Sequence, residues 1–202
     1  DVAPATAADV LVRSKDLEQS HVCFGTPGLA YNDPDRYVAF ALNTMLGGSM
    51  SSRLFQNVRE KRGLAYAVFS GLSAYRDAGN ITIYAGCSNE AVGQVIDLCV
   101  EELRGMKGAP VPEAELRRAK DHLKGSLMLS LENTASRMSH LARQEIYFGR
   151  HFTLDETLAG IERVTREDIL RVADMLFGGV TLVGTVLGPK NGFHLSEEHL
   201  SL

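Results

Sequence analysis

The sequence lacks the features that mark several common classes of protein. Tryptophan is absent, and Cys23, Cys87 and Cys99 form no C-x-x-C pair of the kind found in zinc knuckles and dithiol redox proteins. No apolar run approaches the roughly 20 residues that span a bilayer, and no long basic run is present to attract nucleic acid. We therefore expect no membrane span and no nucleic-acid partner, and we interpret all three cysteines as core residues.

The motifs of a self-sufficient active site are also missing. None of the six histidines belongs to an H-E-x-x-H or H-x-x-E-H motif, and there is no G-x-S-x-G. The pair Gly47-Gly48 precedes a helix, as phosphate-binding loops do, but it follows another helix and lacks G-K-[ST]. No acid, base or nucleophile stands out. The residues therefore predict a chain that holds no metal or cofactor and is inactive alone.

What is present is the composition of an ordinary, slightly acidic globular protein. The 202 residues are 45% hydrophobic and carry a formal net charge of -4, which is sufficient for one sizeable core. The first residues show no charged segment followed by an apolar one, the pattern of a secretory signal. We therefore expect a cytoplasmic location. The absence of an initiator methionine leads us to expect a piece of a longer protein.

Alternation and helical periodicity predict the order of the elements. Strands are predicted at 10–16, 20–28, 64–75, 79–88 and 180–188, and helices within 32–48, 51–63, 89–108, 110–133, 134–150, 153–164 and 165–177. Strands joined by a hairpin and helices grouped in runs favour an α+β fold, in which helices pack on a largely antiparallel sheet. We predict one domain over residues 1–188, followed by a polar tail at 189–202.

Capping residues set the ends of several predicted helices. Asp33 with Pro34 begins the first helix, and a serine is expected to cap the helix within 51–63. Thr153 begins one later helix in a capping box, and Thr165 begins the next. In the helix within 110–133, one set of residues recurs in helical register and predicts a face turned to the core. These residues are Leu116, Ala119, Leu123, Leu127 and Leu131.

The stretch GGSMSSRLFQNVREKRGLAYAVFSG, from Gly47 to Gly71, raises a functional question. Arg59 ends a helix, Gly63 turns the chain, and Tyr66 stands near the start of a strand, so the two side chains can converge on one corner. Two interpretations are open. In one, Arg59 stabilises the helix C-terminus and Tyr66 belongs to the core. In the other, the pair forms a binding or catalytic corner.

This stretch closely resembles the second domain of the pitrilysin/insulinase-type zinc peptidases, the group that includes mitochondrial processing peptidase. The run DPDRYVAFALNTMLGG before it, and the helical stretches 131–150 and 153–177, resemble the same domain. The resemblance covers residues 8–188, and the run from 47 to 71 is its most specific part.

The resemblance implies a division of labour between paired domains. In this family, the first domain holds one zinc through H-x-x-E-H and a distal glutamate, and a peptide substrate adds as a strand to that domain's sheet. The second domain has the same fold, lacks the zinc motif and faces the first across a closed chamber. It supplies an arginine and a tyrosine, seven residues apart, that reach towards the substrate; Arg59 and Tyr66 match them. The implied partners are a zinc-bearing homologous domain, in the same chain or another subunit, and a peptide substrate, with dimerisation possible.

Three functional hypotheses follow. In the first, this domain binds substrate and assists the transition state of a zinc metalloendopeptidase, with zinc held only in the partner domain. In the second, it is a proteolytically silent subunit with a structural or interaction role. A third, an unrelated enzyme built on this domain alone, is disfavoured because no base–nucleophile pair is visible. The presence of both Arg59 and Tyr66 favours the first hypothesis.

Overall fold

The computed structural model describes Ala7 and residues 9–180, 182–189 and 197–202. The strands are β1 (Val10–Ser14), β2 (Ser20–Gly28), β3 (Ala65–Ala74), β4 (Gly79–Cys87) and β5 (Val183–Gly188). The α-helices are α1 (Arg36–Leu46), α2 (Val92–Gly108), α3 (Glu113–Ser130), α4 (Thr134–Phe148), α5 (Leu154–Glu162) and α6 (Arg166–Phe177). Shorter helical segments are a π-helical one at Phe55–Glu60 and 3-10 turns at Asn89–Ala91 and Glu197–Leu200.

The strands form one sheet in the order β1-β5-β2-β4-β3. β1 pairs with β5 in parallel, and the β5–β2, β2–β4 and β4–β3 pairs are antiparallel. β5 is therefore an inner strand, since β1 covers its outer edge. β3 forms the opposite edge of the sheet. The predicted α+β fold with a largely antiparallel sheet is confirmed.

One face of the sheet packs against helices and forms the core. Phe24 on β2 and Ile83 on β4 are buried there, together with Leu42 of α1, Ile96 of α2 and Val172 of α6. Because side chains alternate along a strand, the intervening residues point to the opposite face. That face carries exposed residues of β2 and β3, and we refer to it as the open face.

The structure makes the predicted caps of two helices, but the predicted Asp33 cap of the first helix is wrong. α1 begins at Arg36 with Asp35 as an N-cap that makes no side-chain hydrogen bond, and the Asp33 carboxylate accepts a hydrogen bond of 2.8 Å from the Asp35 amide in the turn before it. Capping boxes close the N-termini of α5 and α6 through Thr153 and Thr165. Such caps satisfy backbone amides that have no partner within the helix.

The predicted serine cap of the 51–63 segment is wrong. The Ser52 hydroxyl is buried and has no hydrogen-bond partner among the described residues. The segment instead adopts π-helical geometry at Phe55–Glu60, with no side-chain cap at its start. The predicted core-facing stripe of α3 holds only at its beginning: Leu116 is buried, whereas Leu127 is half-buried and lines a cavity described below.

Cys23 contradicts the prediction that all three cysteines belong to the core. It is exposed on the open face, whereas Cys87 and Cys99 are buried. The alternation of β2 explains the difference, because Val22 and Phe24 on either side of Cys23 are both turned into the core. Burial raises the pKa of Cys87 to about 11, so that thiol stays protonated at neutral pH.

The end of the chain packs against the body of the protein. Leu200 is fully buried, and its carbonyl accepts a hydrogen bond of 3.0 Å from the Leu182 amide. Residues 190–196 of the predicted polar tail lie outside the described residues, and the domain boundary at 188 stays a prediction. In the part of the chain that the structure describes, no helix is long and apolar enough to cross a bilayer.

Gly47 allows the end of α1 to approach edge strand β3 closely. A Cβ at this position would lie 2.4 Å from the backbone nitrogen of Ser70. The Ser70 amide donates to the Gly47 carbonyl at 3.2 Å, and the Ser70 hydroxyl donates to the Asn43 side chain at 2.7 Å. A methyl group here would push β3 away from α1.

We therefore expect Gly47→Ala to lower the free energy of unfolding by about 1–3 kcal/mol, the usual cost of overpacking. Gly125→Ala in α3 is the matched control, since nothing lies within 4 Å of its added Cβ. That change should raise the free energy of unfolding by up to about 1 kcal/mol through helix propensity. Urea unfolding of both variants measures the difference, and equal effects would contradict the close-approach argument.

Candidate functional site

Contacts with the core and with two helices hold the segment that carries Arg59 in place. Leu54 and Val58 are fully buried in the core. Asn57 donates its side-chain amide to the Glu102 carboxylate of α2. Just before the segment, Arg53 makes two hydrogen bonds to the Glu115 carboxylate of α3, at 2.7 and 2.9 Å. These contacts fix the segment to α2 and α3, so the orientation of its exposed face is set.

Gly63 ends this segment and turns the chain towards β3. Its φ of +63° lies in the left-handed region, where glycine carries no steric penalty. The Gly63 amide donates to the Arg59 carbonyl at 2.9 Å, and the Leu64 amide donates to the Val58 carbonyl at 3.0 Å. The turn therefore places Arg59 directly before the start of the edge strand. This agrees with the prediction that Gly63 stops the helix.

Tyr66 occupies an irregularity in the β3–β4 ladder. Ala65 lies opposite Cys87 and Ala67 lies opposite Gly86, so Tyr66 is an extra residue between two consecutive partners. A β-bulge of this kind bends the strand and redirects the side chain of the extra residue. The Tyr66 side chain is turned outwards, and the residue is 77% exposed. The interpretation that places Tyr66 in the core is therefore wrong.

The structure brings Arg59 and Tyr66 together at one exposed corner. The Arg59 guanidinium carbon lies 5.8 Å from the centroid of the Tyr66 ring and 4.8 Å from that of the Phe55 ring. Both distances fall in the range of cation–π attraction. The nearest carboxylate, that of Glu60, is 3.8 Å from Arg59 Nε and is itself half-exposed, so solvent screens this pair. We call Arg59, Tyr66 and Phe55 the arginine–tyrosine corner.

Other charged residues near the corner have structural partners. Arg62 donates to the backbone carbonyl of Asn57 at 2.8 Å, and Lys61 donates to the Asn57 side chain at 2.9 Å. Both contacts lie within the end of the same helical segment. The guanidinium of Arg59 and the hydroxyl of Tyr66 are the donors that lie together on the exposed side of this corner.

An aromatic row next to the corner was not predicted from the sequence. On the open face, the rings of Phe69 and Tyr84 lie 5.1 Å apart between centroids, and Tyr84 Oη is 2.8 Å from His21 Nδ1. Phe69 is 51% exposed. The signal was available in the alternation of β4, because Ile83 and Ala85 face the core and Tyr84 between them must face the other way.

The described residues do not form a zinc site. Among them, no group of three or more histidine, cysteine, aspartate or glutamate side chains is arranged to hold a metal ion. The family resemblance implies zinc in a partner domain rather than in this chain. The arginine–tyrosine corner offers hydrogen-bond donors and a positive charge.

Comparison with known proteins identifies the domain. A family model described as the peptidase M16 inactive domain matches residues 1–123. An uncharacterized zinc protease of Bacillus subtilis is 42% identical over 174 residues, which are 86% of this chain and 42% of that protein. A second one, from Streptomyces coelicolor, is 40% identical over 96% of this chain and 42% of its own length. The chain thus spans less than half the length of these relatives.

Solved structures show the same fold. A peptidase M16 inactive domain from Pseudomonas fluorescens superposes with a TM-score of 0.86 at 22% identity, over 96% of this chain and 47% of that one. A conserved protein from Enterococcus faecalis gives 0.80 at 26% identity, over 94% and 44%. A chain of complex III from Candida albicans gives 0.84 at 19% identity, over 96% and 48%. These findings agree with the resemblance to the second domain of the pitrilysin/insulinase-type peptidases, and the chain belongs to the peptidase M16 inactive-domain family.

Proposed function

We propose that this domain binds peptide and assists its hydrolysis at a zinc site in a partner domain. The arginine–tyrosine corner is the observation that carries the proposal. A tyrosine that is 77% exposed contributes little to the core, yet a bulge directs it outwards and Arg59 lies within cation–π distance of its ring. Preorganised donors of this kind stabilise charge that develops in a transition state.

Each member of the pair has a distinct part in this proposal. The Tyr66 hydroxyl donates a hydrogen bond to the oxyanion that forms when the scissile carbonyl is attacked. The Arg59 guanidinium donates to a neighbouring backbone carbonyl of the substrate and holds the peptide in register. Arg59 also lies 5.8 Å from the centroid of the Tyr66 ring, so both donors can contact the same stretch of peptide. The attacking water would be activated by zinc held in the partner domain, since none of the residues assigned here has that part.

The aromatic row extends this surface along the open face. Phe69 is three residues beyond Tyr66 on β3, and its ring packs against that of Tyr84. Exposed aromatic rings offer large apolar contact area at a small cost in side-chain entropy. A peptide held at the corner would continue over this row, which therefore forms a wall of the proposed substrate chamber.

A separate surface suits contact with the partner domain. The C-terminal half of α3 and the outer side of α4 carry exposed apolar residues, namely Met128, Leu129, Met138, Leu141 and Ile146. An apolar surface of this kind on a folded domain marks an interaction site. The relatives named zinc proteases are more than twice as long as this chain, and a domain in their remaining length could cover such a surface. We assign this surface to the zinc-bearing domain. Dimerisation and a cytoplasmic location stay predictions.

The role of Tyr66 can be measured in the complete enzyme. We expect Tyr66→Phe to lower kcat about ten- to a thousandfold, the range for losing one oxyanion donor. The melting temperature should not change, because the hydroxyl is at the exposed end of the ring. Peptide cleavage under saturating substrate is the measurement.

Tyr75→Phe is the matched control. Tyr75 is also an exposed tyrosine, but it lies nine residues further along the chain, about 30 Å away at the rise of a β-strand. Removing the Tyr75 hydroxyl should therefore leave kcat unchanged. Equal kcat values for the wild type and Tyr66→Phe would remove the catalytic assignment and favour a silent subunit.

The partner surface gives a second prediction. Ile146→Glu should weaken association with the separately expressed zinc-bearing domain at least about tenfold, since it loses apolar burial and buries a charge. The residue is 71% exposed in this domain, so the melting temperature of the isolated domain should stay the same. Met175→Glu, on an exposed position of α6, is the control and should associate normally. Normal association of Ile146→Glu would contradict the assignment of this surface.

A further inference from the structure

A cavity lies among α1, α3, α4 and α5, and its lining includes no residue of the arginine–tyrosine corner. Its volume is about 420 Å³, which is within the range of small-molecule sites. The walls are mainly aromatic and aliphatic, and the rings that line it are those of Tyr31, Tyr37, Phe40, Phe148 and Phe152. We refer to this space as the helical cavity.

Helix α4 covers the helical cavity through a few polar and aromatic contacts. Gln144 is the one buried residue of this helix. Its side-chain oxygen accepts a hydrogen bond of 2.9 Å from the Phe152 amide, and its nitrogen lies 2.8 Å from His140 Nε2. The Tyr147 ring stacks on Tyr31 at 4.2 Å between centroids. The helix is thus held at defined points, and the space beneath it stays unfilled by side chains.

The described lining of the helical cavity carries a positive charge without a negative one. Arg36 contributes a guanidinium, and no aspartate or glutamate belongs to the lining among the described residues. The Arg36 N–H groups donate to the Asp33 backbone carbonyl at 3.3 Å and to the Tyr37 hydroxyl at 3.4 Å, both uncharged acceptors. No described carboxylate lies within ion-pairing distance of Arg36.

Aromatic rings surround this guanidinium. Its carbon lies 4.4 Å from the ring centroid of Tyr37, 4.8 Å from that of Phe148 and 5.3 Å from that of Phe152. The rings fix its position and reduce its contact with water. A cation in such a setting gains more from an anionic partner than one in open solvent. The nearby His140 adds no charge at neutral pH, because burial and Arg143 lower its pKa.

We propose that the helical cavity binds an apolar molecule that ends in a carboxylate. The carboxylate pairs with Arg36, and the apolar body lies among the rings of α1 and α4 and the aliphatic side chains of α3. Two sources have this chemistry: a medium-chain fatty acid, and the free C-terminus of a short apolar peptide. The proposal is independent of the arginine–tyrosine corner.

Calorimetric titration of the folded protein tests the proposal. The probes are decanoate, decanol, the tripeptide Leu-Phe-Leu with a free C-terminus and the same tripeptide amidated. We expect decanoate to bind at least about tenfold more tightly than decanol, because a charge-assisted hydrogen bond is lost in the alcohol. Preference for the free tripeptide over decanoate would identify a peptide terminus as the source, and the reverse preference would identify a fatty acid.

Variants assign the binding to this cavity. Arg36→Gln should weaken carboxylate binding about ten- to a hundredfold and abolish the discrimination against decanol. Arg137→Gln removes one positive charge from the exposed side of α4 and should bind like the wild type. Leu127 of α3 is half-buried and lines the cavity, so the larger side chain of Leu127→Trp should fill it. We expect this variant to stay folded and to bind none of the probes. Melting curves of each variant confirm that it is folded.

Three results would overturn the proposal. They are the absence of binding for both carboxylate probes, equal affinity for decanoate and decanol, and unchanged decanoate affinity in a folded Arg36→Gln variant. None of them bears on Tyr66, so the proposed function could stand while this proposal fails.

Discussion

The arginine–tyrosine corner depends on how the chain passes from the π-helical segment into the edge strand. Buried Leu54 and Val58 fix the helical side, and the β4 ladder fixes the strand side. The left-handed turn at Gly63 is the constraint between them, because a side chain there would strain a conformation that L-residues rarely adopt. Three residues after this turn, the bulge directs Tyr66 outwards. Proximity of Arg59 to Tyr66 follows from these backbone features.

The two faces of the sheet have different roles. The helix-covered face of the sheet contains the apolar core, so it stabilises the fold without help from the open face. Side chains on the open face and at the edge of β3 are then free to contact other molecules, as the exposure of Tyr66 and Phe69 shows. In the same way, α4 contributes Gln144 to the interior and leaves Met138 and Ile146 exposed, where the proposed interface lies.

Local signals in the sequence were sufficient for much of the fold. A helix cap or a glycine turn involves only residues a few positions apart in the chain. The capping boxes at Thr153 and Thr165 and the turn at Gly63 could therefore be predicted from the neighbouring sequence alone. Features that depend on distant partners were not predictable in this way. The bulge at Tyr66 exists only relative to β4, and the half-buried state of Leu127 depends on the cavity that it shares with residues of other helices. The pairing of Arg59 with Tyr66 came from the family resemblance, and their spatial proximity agrees with it.

The most direct test mixes this domain with the proposed zinc-bearing partner domain and follows cleavage of a quenched basic peptide, with and without a chelator. If this domain assists hydrolysis at the partner's zinc, neither domain alone is active, the mixture cleaves the peptide, and the chelator abolishes cleavage. Chelator-insensitive cleavage by this domain alone would contradict it. An inactive mixture of correctly assembled domains would also contradict the assisting role and leave the silent subunit as the better explanation.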